Sequence, residues 1–248
     1  MKAIIMAAGK GTRLQEPGNP QPKVLRKANG RPLLDYVFDA MPMIEKKDIT
    51  VVTGFMSELV EEAFKDYGCS FQRQGDDAYG TGYAVMCGIE NANFDDYHGD
   101  ILIVNGDAPL TNLSTVEGII DQHIKEENFA TILAADTQLK LPYGRIIRNE
   151  NGNVTDIREE KDCTEEEKAI TELNVGMYVF NADALREALK VIDCNNAAGE
   201  YYITDVPPAI ARIGKKVNAY ITTDDDELIG VNTPEDLATV EKILDSRK

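Results

Sequence analysis

The chain has no tryptophan, two histidines and only four cysteines, at positions 69, 87, 163 and 194 of 248 residues. No Cys-x-x-Cys pair occurs and no histidine lies close to a cysteine, so neither a zinc-ligand spacing nor a disulfide framework is present. The thiols read as reduced and structural, which suits a cytoplasmic protein. No apolar run approaches the roughly 20 residues of a membrane span, and Ile4–Ala8 is too short for the apolar core of a signal peptide. Positive charge is also scarce: 26 Lys and Arg face 43 Asp and Glu, for a formal net charge of −17. That balance argues against nucleic acid or an anionic membrane as partner. What is present, 43% apolar and 28% charged residues, is the composition of an ordinary globular protein. The length suits one large α/β domain or two small ones.

The scarce positive charge is concentrated. Residues 1–34 carry seven basic side chains (Lys2, Lys10, Arg13, Lys23, Arg26, Lys27 and Arg31) against one acidic, Glu16, a local +6 that leaves −23 for the remainder. In the same segment Ile4, Ile5 and Met6 form a short apolar run without alternation, as expected of a strand buried on both faces. The strand breaks into Ala7-Ala8-Gly9-Lys10-Gly11-Thr12-Arg13, and Pro22-Lys23 follows. Glycines there let the backbone turn sharply and bring its N–H groups near an anion. Lys10, Arg13 and Lys23 add mobile positive charge, so the segment is suited to a polyphosphate. It is neither common phosphate fingerprint: Leu14 stands where a dinucleotide loop needs its third glycine, and no Gly-Lys-Ser/Thr completes a Walker A loop. Gly-x-Gly alone is equally a tight turn.

Further along, strand and helix patterns alternate. Pro32 can open a helix whose Leu33, Leu34, Val37, Phe38 and Met41 fall at 3/4 spacing, with Pro42 ending it. Ile49–Thr53 reads as a buried strand and Ser57–Tyr67 as a helix capped by Ser57. Further strands are expected at Cys69–Gln72, Ile101–Val104, Ala130–Ala135, Val175–Phe180 and Val217–Ile221. Helices are expected from Gly80–Gly82 through Ile89, from Ser114 as cap to Lys125, over Ala182–Val191, after a Thr204 or Asp205 cap, and from Thr233-Pro234 onward. Tyr143–Arg148 and Val154–Arg158 flank Asn151-Gly152, the signal of a two-residue hairpin. The alternation predicts right-handed crossovers and an α/β fold with a mostly parallel sheet, interrupted by one antiparallel excursion. Asp107, in Asn105-Gly106-Asp107-Ala108-Pro109-Leu110, follows a strand, at the end where open α/β sheets bind ligands. Asp224-Asp225-Asp226 has the form of an Asp-x-Asp metal motif but reads as an exposed acidic loop.

A strand ending in Ala-Ala-Gly-x-Gly-Thr-Arg, followed by Pro22-Lys23-Val24-Leu25, resembles the signature of the sugar-phosphate nucleotidyltransferases. From Lys2 to about Leu237 the chain is similar to bacterial N-acetylglucosamine-1-phosphate uridylyltransferase (pyrophosphorylase) domains. The resemblance implies a Rossmann-like three-layer fold in a single domain, 1–248, with a nucleotide-binding half (about 1–135), a sugar-binding half (about 140–232) and a C-terminal helix (234–248). It implies that Met6, Ala7, Ala8, Gly9, Gly11 and Thr12 line the nucleotide, that Arg13 grips its β- and γ-phosphates, and that Lys23 bridges the phosphates of two substrates. Gln74, Gly80 and Thr81 match the residues that read the base. Asn105, Gly144, Glu159, Asn174 and Thr204 match those at the sugar, Lys161 matches a family lysine nearby, and Glu200–Asp205 closes one side of that pocket. Asp107 and Asn232 match the ligands of a Mg²⁺ ion, a hard-oxygen pair that suits it. Four departures stand out: a longer Gln15–Gln21 stretch, expected to form a flexible lip over the nucleotide; one extra residue between Gln74 and Gly80; Tyr83 in place of a histidine; and Asn105 in place of an aromatic.

The implied reaction is Mg²⁺-dependent transfer of a nucleotidyl group from a nucleoside triphosphate, UTP by best match, to a sugar-1-phosphate, N-acetylglucosamine-1-phosphate by best match. Pyrophosphate leaves, and both partners are small molecules. Bifunctional relatives add an acetyltransferase built of hexapeptide repeats; none occurs here, so coenzyme A chemistry is not expected. Two other classes compete. A glycosyltransferase would place its metal on Asp224–Asp226 and release a nucleoside diphosphate, and a non-catalytic nucleotide-binding regulator would keep the glycine loop without turnover.

Overall fold

The computed structural model describes residues 1–15 and 18–247. Strand β1 (Lys2–Ala7) is buried from Ala3 onward. Its successive side chains feed two different cores, Ile4 and Met6 one, Ala3, Ile5 and Ala7 the other. That is why the run shows no polar alternation. A small arm follows, β2 (Lys27–Ala28) paired antiparallel with β3 (Arg31–Pro32). It turns on Asn29-Gly30, whose φ angles of 49° and 82° suit a two-residue hairpin. The chain then runs α1 (Leu33–Asp39), β4 (Ile49–Thr53), α2 (Ser57–Phe64), β5 (Ser70–Arg73), α3 (Thr81–Ile89), β6 (Asp100–Asn105), α4 (Leu113–Lys125) and β7 (Ala130–Asp136). After the hairpin β8 (Arg145–Arg148)–β9 (Val154–Arg158) come β10 (Glu172–Asn181), α5 (Ala182–Leu189), α6 (Val206–Arg212), β11 (Val217–Thr222) and α7 (Pro234–Ser246).

The main sheet has the order β11-β7-β10-β6-β1-β4-β5, and β8 joins it through β10. Pairs along it are parallel except where β10 runs antiparallel to β6, β7 and β8. The expected α/β class, mostly parallel sheet and antiparallel excursion are all observed. Val85, Leu185 and Ile210 of α3, α5 and α6 pack on one face, and Phe38, Phe64 and Val116 of α1, α2 and α4 on the other. Each such side chain contributes about 1.5–3 kcal/mol on burial. A third, smaller core joins Leu14, Ala28, Leu33, Leu110 and Val231 to Val240 of α7. No helix among the described residues is long and apolar enough to cross a membrane.

Local details correct several expectations. Ser57 and Ser114 do not cap their helices. The N-cap of α2 is Met56 in a left-handed conformation and that of α4 is Asn112, neither with a side-chain cap bond. Asp205 precedes α6 with helical backbone, because a short 3-10 turn, Ile203–Asp205, already leads into the helix. The strand expected at Cys69–Gln72 lies one residue on. Asn151-Gly152 is not a two-residue turn: Asn149 Oδ1 accepts the N–H groups of Asn151 (3.0 Å) and Asn153 (3.1 Å), organising a wider loop. Thr233 does cap α7, in a reciprocal capping box with Asp236.

Candidate active site

The carboxyl ends of β1, β4 and β6 open into one cleft of about 770 Å³. Its floor is the turn after β1. Gly11 has φ +58°, and a Cβ there would lie 2.8 Å from Cβ of Lys23, so both backbone and space require glycine. Gly9 differs, since a Cβ there would meet nothing within 4 Å. Its bareness leaves room above the loop for a ligand. Met6, Ala7, Ala8, Gly9, Gly11, Thr12, Arg13 and Lys23 all line the cleft, as do Gln74, Gly80 and Thr81. Lys10 and Tyr79 stand together at the rim, the ammonium 5.8 Å from the ring centroid.

The extra residues after Arg13 are braced at their base. Gln15 Nε2 donates to the carbonyls of Lys10 (2.7 Å) and Gln21 (2.9 Å), and Gln15 Oε1 accepts the Gln21 N–H (3.0 Å). Of the expected lip, Glu16 and Pro17 lie outside the described residues.

Lys23 is placed by a short 3-10 turn, Lys23–Leu25, that follows Pro22. Its ammonium touches Asp107 Oδ2 and lies 2.8 Å from Asn232 Oδ1. Asp107 hangs just past β6, where Gly106 N–H donates to Met6 O (2.9 Å) and ties the ends of β6 and β1 together. Asn232 sits at the start of α7, its N–H held by Asp236 Oδ2 (2.9 Å) and its Nδ2 on Gly230 O (3.3 Å). Three residues separated by 84 and 209 positions thus converge on one nitrogen. One carboxylate and one amide oxygen are the hard donors that Mg²⁺ accepts when waters and ligand oxygens complete its octahedron. No group of three or more His, Cys, Asp or Glu able to hold a metal occurs among the described residues, so any ion there depends on non-protein oxygens.

A second chamber of about 250 Å³ adjoins the first and shares Met6, Thr81, Asn105, Asp107 and Asn232 with it. Asn105, Gly144, Glu159, Asn174 and Thr204 all line it. The Thr204 hydroxyl donates to Glu159 Oε1 (3.0 Å), and burial raises the Glu159 carboxyl above its ordinary value. Asn174 donates from Nδ2 to the Tyr178 hydroxyl (2.8 Å), and its Oδ1 accepts the Gly176 N–H (3.3 Å). Asn105 Nδ2 donates to Gly176 O (3.3 Å). Gly176 lies in an irregularity of β10 between Asn174 and Tyr178, and the Asn105 amide anchors it.

Other placements differ from expectation or were not anticipated. Lys161 is exposed on a short 3-10 turn and lines neither chamber. Asp224 and Asp226 are engaged by Arg247, at 3.0 and 3.2 Å. Gly80-Thr81-Gly82 both opens α3 and pairs with the segment 201–203: Gly82 N–H donates to Tyr201 O (2.8 Å), Ile203 N–H to the Thr81 hydroxyl (3.0 Å), and Tyr201 N–H to Tyr79 O (2.9 Å). A Cβ on Gly80 would fall 2.2 Å from Tyr201 O. Gly54 and Phe55, missed in the sequence, line the cleft just past β4. A glycine directly after a buried parallel strand was the available signal.

A family model described as nucleotidyl transferase matches residues 2–245. The chain is 44% identical over 245 residues to the bifunctional protein GlmU of Streptococcus thermophilus (strain CNRZ 1066), and 43% identical over 245 residues to that of Streptococcus agalactiae serotype V. Each alignment covers 99% of this chain and 52% of the relative, so the chain spans about half the length of these proteins. The crystal structure of UDP-glucose pyrophosphorylase complexed with UDP-glucose shares the fold, with a TM-score of 0.73 at 18% identity, covering 100% of this chain and 99% of that one.

Proposed function

This chain belongs to the nucleotidyl transferase family, and from that premise we propose that it joins UTP to N-acetylglucosamine-1-phosphate, releasing pyrophosphate and the UDP-sugar. The observation that carries the proposal is the meeting of Lys23, Asp107 and Asn232 at the wall common to the two chambers. Residues 1–135 would supply the nucleotide side and 140–232 the sugar side. An attacking sugar phosphate is already ionised at neutral pH, so no protein nucleophile is needed. The chain's task is to bring two anions together and hold them in line. The Gly9–Arg13 turn offers backbone donors and the Arg13 charge to the terminal phosphates. Lys23 lines the larger chamber and touches Asp107 and Asn232, which line both, so its charge would meet phosphate oxygens from either substrate. Gln74, Gly80 and Thr81 face the place of the base, and a planar amide there suits a pyrimidine edge. Glu159, Asn174 and Thr204, with Asn105 and Gly144, would hold the sugar by directed hydrogen bonds.

Asp107 and Asn232 would hold Mg²⁺, whose contribution when bound is to neutralise charge at the α-phosphoryl group. The competing glycosyltransferase arrangement is disfavoured, because Asp224 and Asp226 are taken up by Arg247. The four cysteines are free thiols, which fits the cytoplasmic setting of this reading. Incubation with Mg²⁺, each nucleoside triphosphate and a panel of sugar-1-phosphates, followed by pyrophosphate release, tests it. Turnover with UTP and N-acetylglucosamine-1-phosphate above all other pairs is expected. Release of nucleoside diphosphate instead, or no turnover with any pair, overturns the reading.

A further inference from the structure

A metal shared by Asp107 and Asn232, the reading on which this inference rests, requires two loops distant in sequence to stay at a fixed separation. One runs from Asp107 through Leu110 to Asn112 at the start of α4. The other leaves β11 at Thr222, passes through a 3-10 turn, Asp225–Leu228, and ends at Asn232. Four contacts join them, one directly between the loops, where Asn112 Nδ2 donates to Asp224 Oδ2 (2.6 Å). At the site itself, Val231 N–H donates to Asp107 O (3.4 Å). At the outer edge Arg247, the C-cap of α7, donates to Leu110 O (3.0 Å) and Asn112 Oδ1 (3.1 Å) on one loop, and to Asp224 Oδ2 (3.0 Å) and Asp226 Oδ2 (3.2 Å) on the other.

Between these lies Glu227, 6% exposed. Its carboxylate accepts the Asn112 N–H (2.8 Å), the Thr115 hydroxyl (2.9 Å) and the Thr222 hydroxyl (2.6 Å). These donors come from the start of α4 and the end of β11, the two elements from which the ligand loops depart. Burial pushes the Glu227 carboxyl up, while the three donors pull it down. A buried carboxylate is costly where simple packing would serve. Here its two oxygens and several lone pairs do what an apolar side chain could not, fastening three donors on two elements at once. The next residue extends the link, since the Tyr143 hydroxyl donates to Leu228 O and ties the same turn to the second chamber.

We propose that Glu227 is a positioning residue that sets the separation of Asp107 and Asn232 and thereby the affinity of the site for its divalent ion, with Arg247 as a weaker outer fastening. The test is Mn²⁺ titration of the whole chain by electron paramagnetic resonance, with and without UTP, alongside the Mg²⁺ dependence of pyrophosphate release. Glu227→Ala should weaken Mn²⁺ binding by up to about 10-fold, the low end of what losing a group bonded directly to a metal ligand costs, because Glu227 acts through the loops and not on the ligands themselves, with turnover recovering at saturating metal. Glu227→Gln, which keeps the shape and one acceptor, should fall between the two. Arg247→Ala, a surface change that leaves the cores intact, should weaken binding in the same direction by less, and it decides the matter if Glu227→Ala does not fold. Folded Glu227→Ala and Arg247→Ala proteins that bind Mn²⁺ like the parent overturn the proposal, as does lowered thermal stability with unchanged metal affinity. Asp107→Asn separates the two levels: if it leaves Mn²⁺ binding unchanged, the metal assignment itself falls and this inference with it.

Discussion

Lys23→Ala should separate catalysis from folding more cleanly than any other single change. Its ammonium contacts Asp107 Oδ2 and Asn232 Oδ1, and the two ionic side chains are 12% and 26% exposed. Removing the ammonium leaves an Asp107 carboxylate that still reaches water, so the cost to the fold should be that of a partly solvated pair, up to about 1 kcal/mol. In a domain of this size that lowers Tm by at most about 2–4 °C. On the proposed function the transition state loses more, because two phosphate groups would have to approach without the charge proposed to meet both. Positioned donors of this kind are worth about 10²–10³ in turnover, or roughly 2.7–4 kcal/mol. Lys23→Arg should not restore the rate: the stem lies against Gly11, where a Cβ would be 2.8 Å away, and a planar fork does not replace a point charge. The assay is kcat for pyrophosphate release at saturating substrates and Mg²⁺, beside calorimetric Tm. A Lys23→Ala protein with undiminished kcat, whatever its Tm, would refute the role given to this residue.

The two loop glycines should respond differently. Gly11→Ala forces a left-handed φ of +58° on a residue with a Cβ aimed at Lys23, costing about 1–2 kcal/mol from the backbone alone and lowering both Tm and kcat. Gly9→Ala has open space in the fold, so Tm should hold while KM for the nucleotide rises; equal melting losses for the two would contradict the distinction. Glu159→Gln should raise KM for the sugar-1-phosphate and leave KM for the triphosphate unchanged, as steady-state kinetics with each substrate varied will show. Asp205 gives a pH test: burial, then neighbouring Asp156, Asp193 and Glu159, push its carboxyl up to about 6 from 3.8. A raised carboxyl favours the protonated fold, so its contribution is greatest below the unfolded value and is lost as pH rises through 6. Asp205→Asn should therefore raise Tm at pH 7–8, and the gain should shrink to nothing near pH 4; a gain independent of pH would exclude the carboxyl as its source.

What the sequence makes legible here is what is local or repeated. Apolar runs placed most strands of the main sheet to within a residue or two, because a strand buried on both faces leaves no polar positions to confuse the pattern, while β10 begins three residues before its apolar run. Cap residues were less reliable. Ser57, Ser114 and Asp205 stand where caps are common, yet tertiary packing starts each helix one or two residues away or through a 3-10 turn. Two Asn-Gly pairs divide in the same way. Asn29-Gly30 makes the tight turn that its residues favour, whereas Asn151-Gly152 yields to Asn149, whose side chain organises a wider loop.

The site divides along the same line. The glycine loop and Asp107 are each readable as a turn or a carboxylate at a strand's carboxyl end, but no periodicity joins Lys23 to residues 84 and 209 positions away. That juxtaposition follows only from sheet order. Because β6 lies beside β1, Gly106 can bond Met6 and bring Asp107 to the loop, and because α7 packs over the third core, Val231 and Asn232 return to the same point. Gly80 shows why composition hides such links. Read locally it opens a helix, but its missing Cβ admits the Tyr201 backbone and so joins the start of α3, on the first chamber, to the segment leading to Ile203 and Thr204 on the second. An alanine at Gly80 should therefore disturb binding on both sides of the site. One at Gly152, in open space on the β8–β9 loop, would strain its own φ of +79° and leave both chambers untouched.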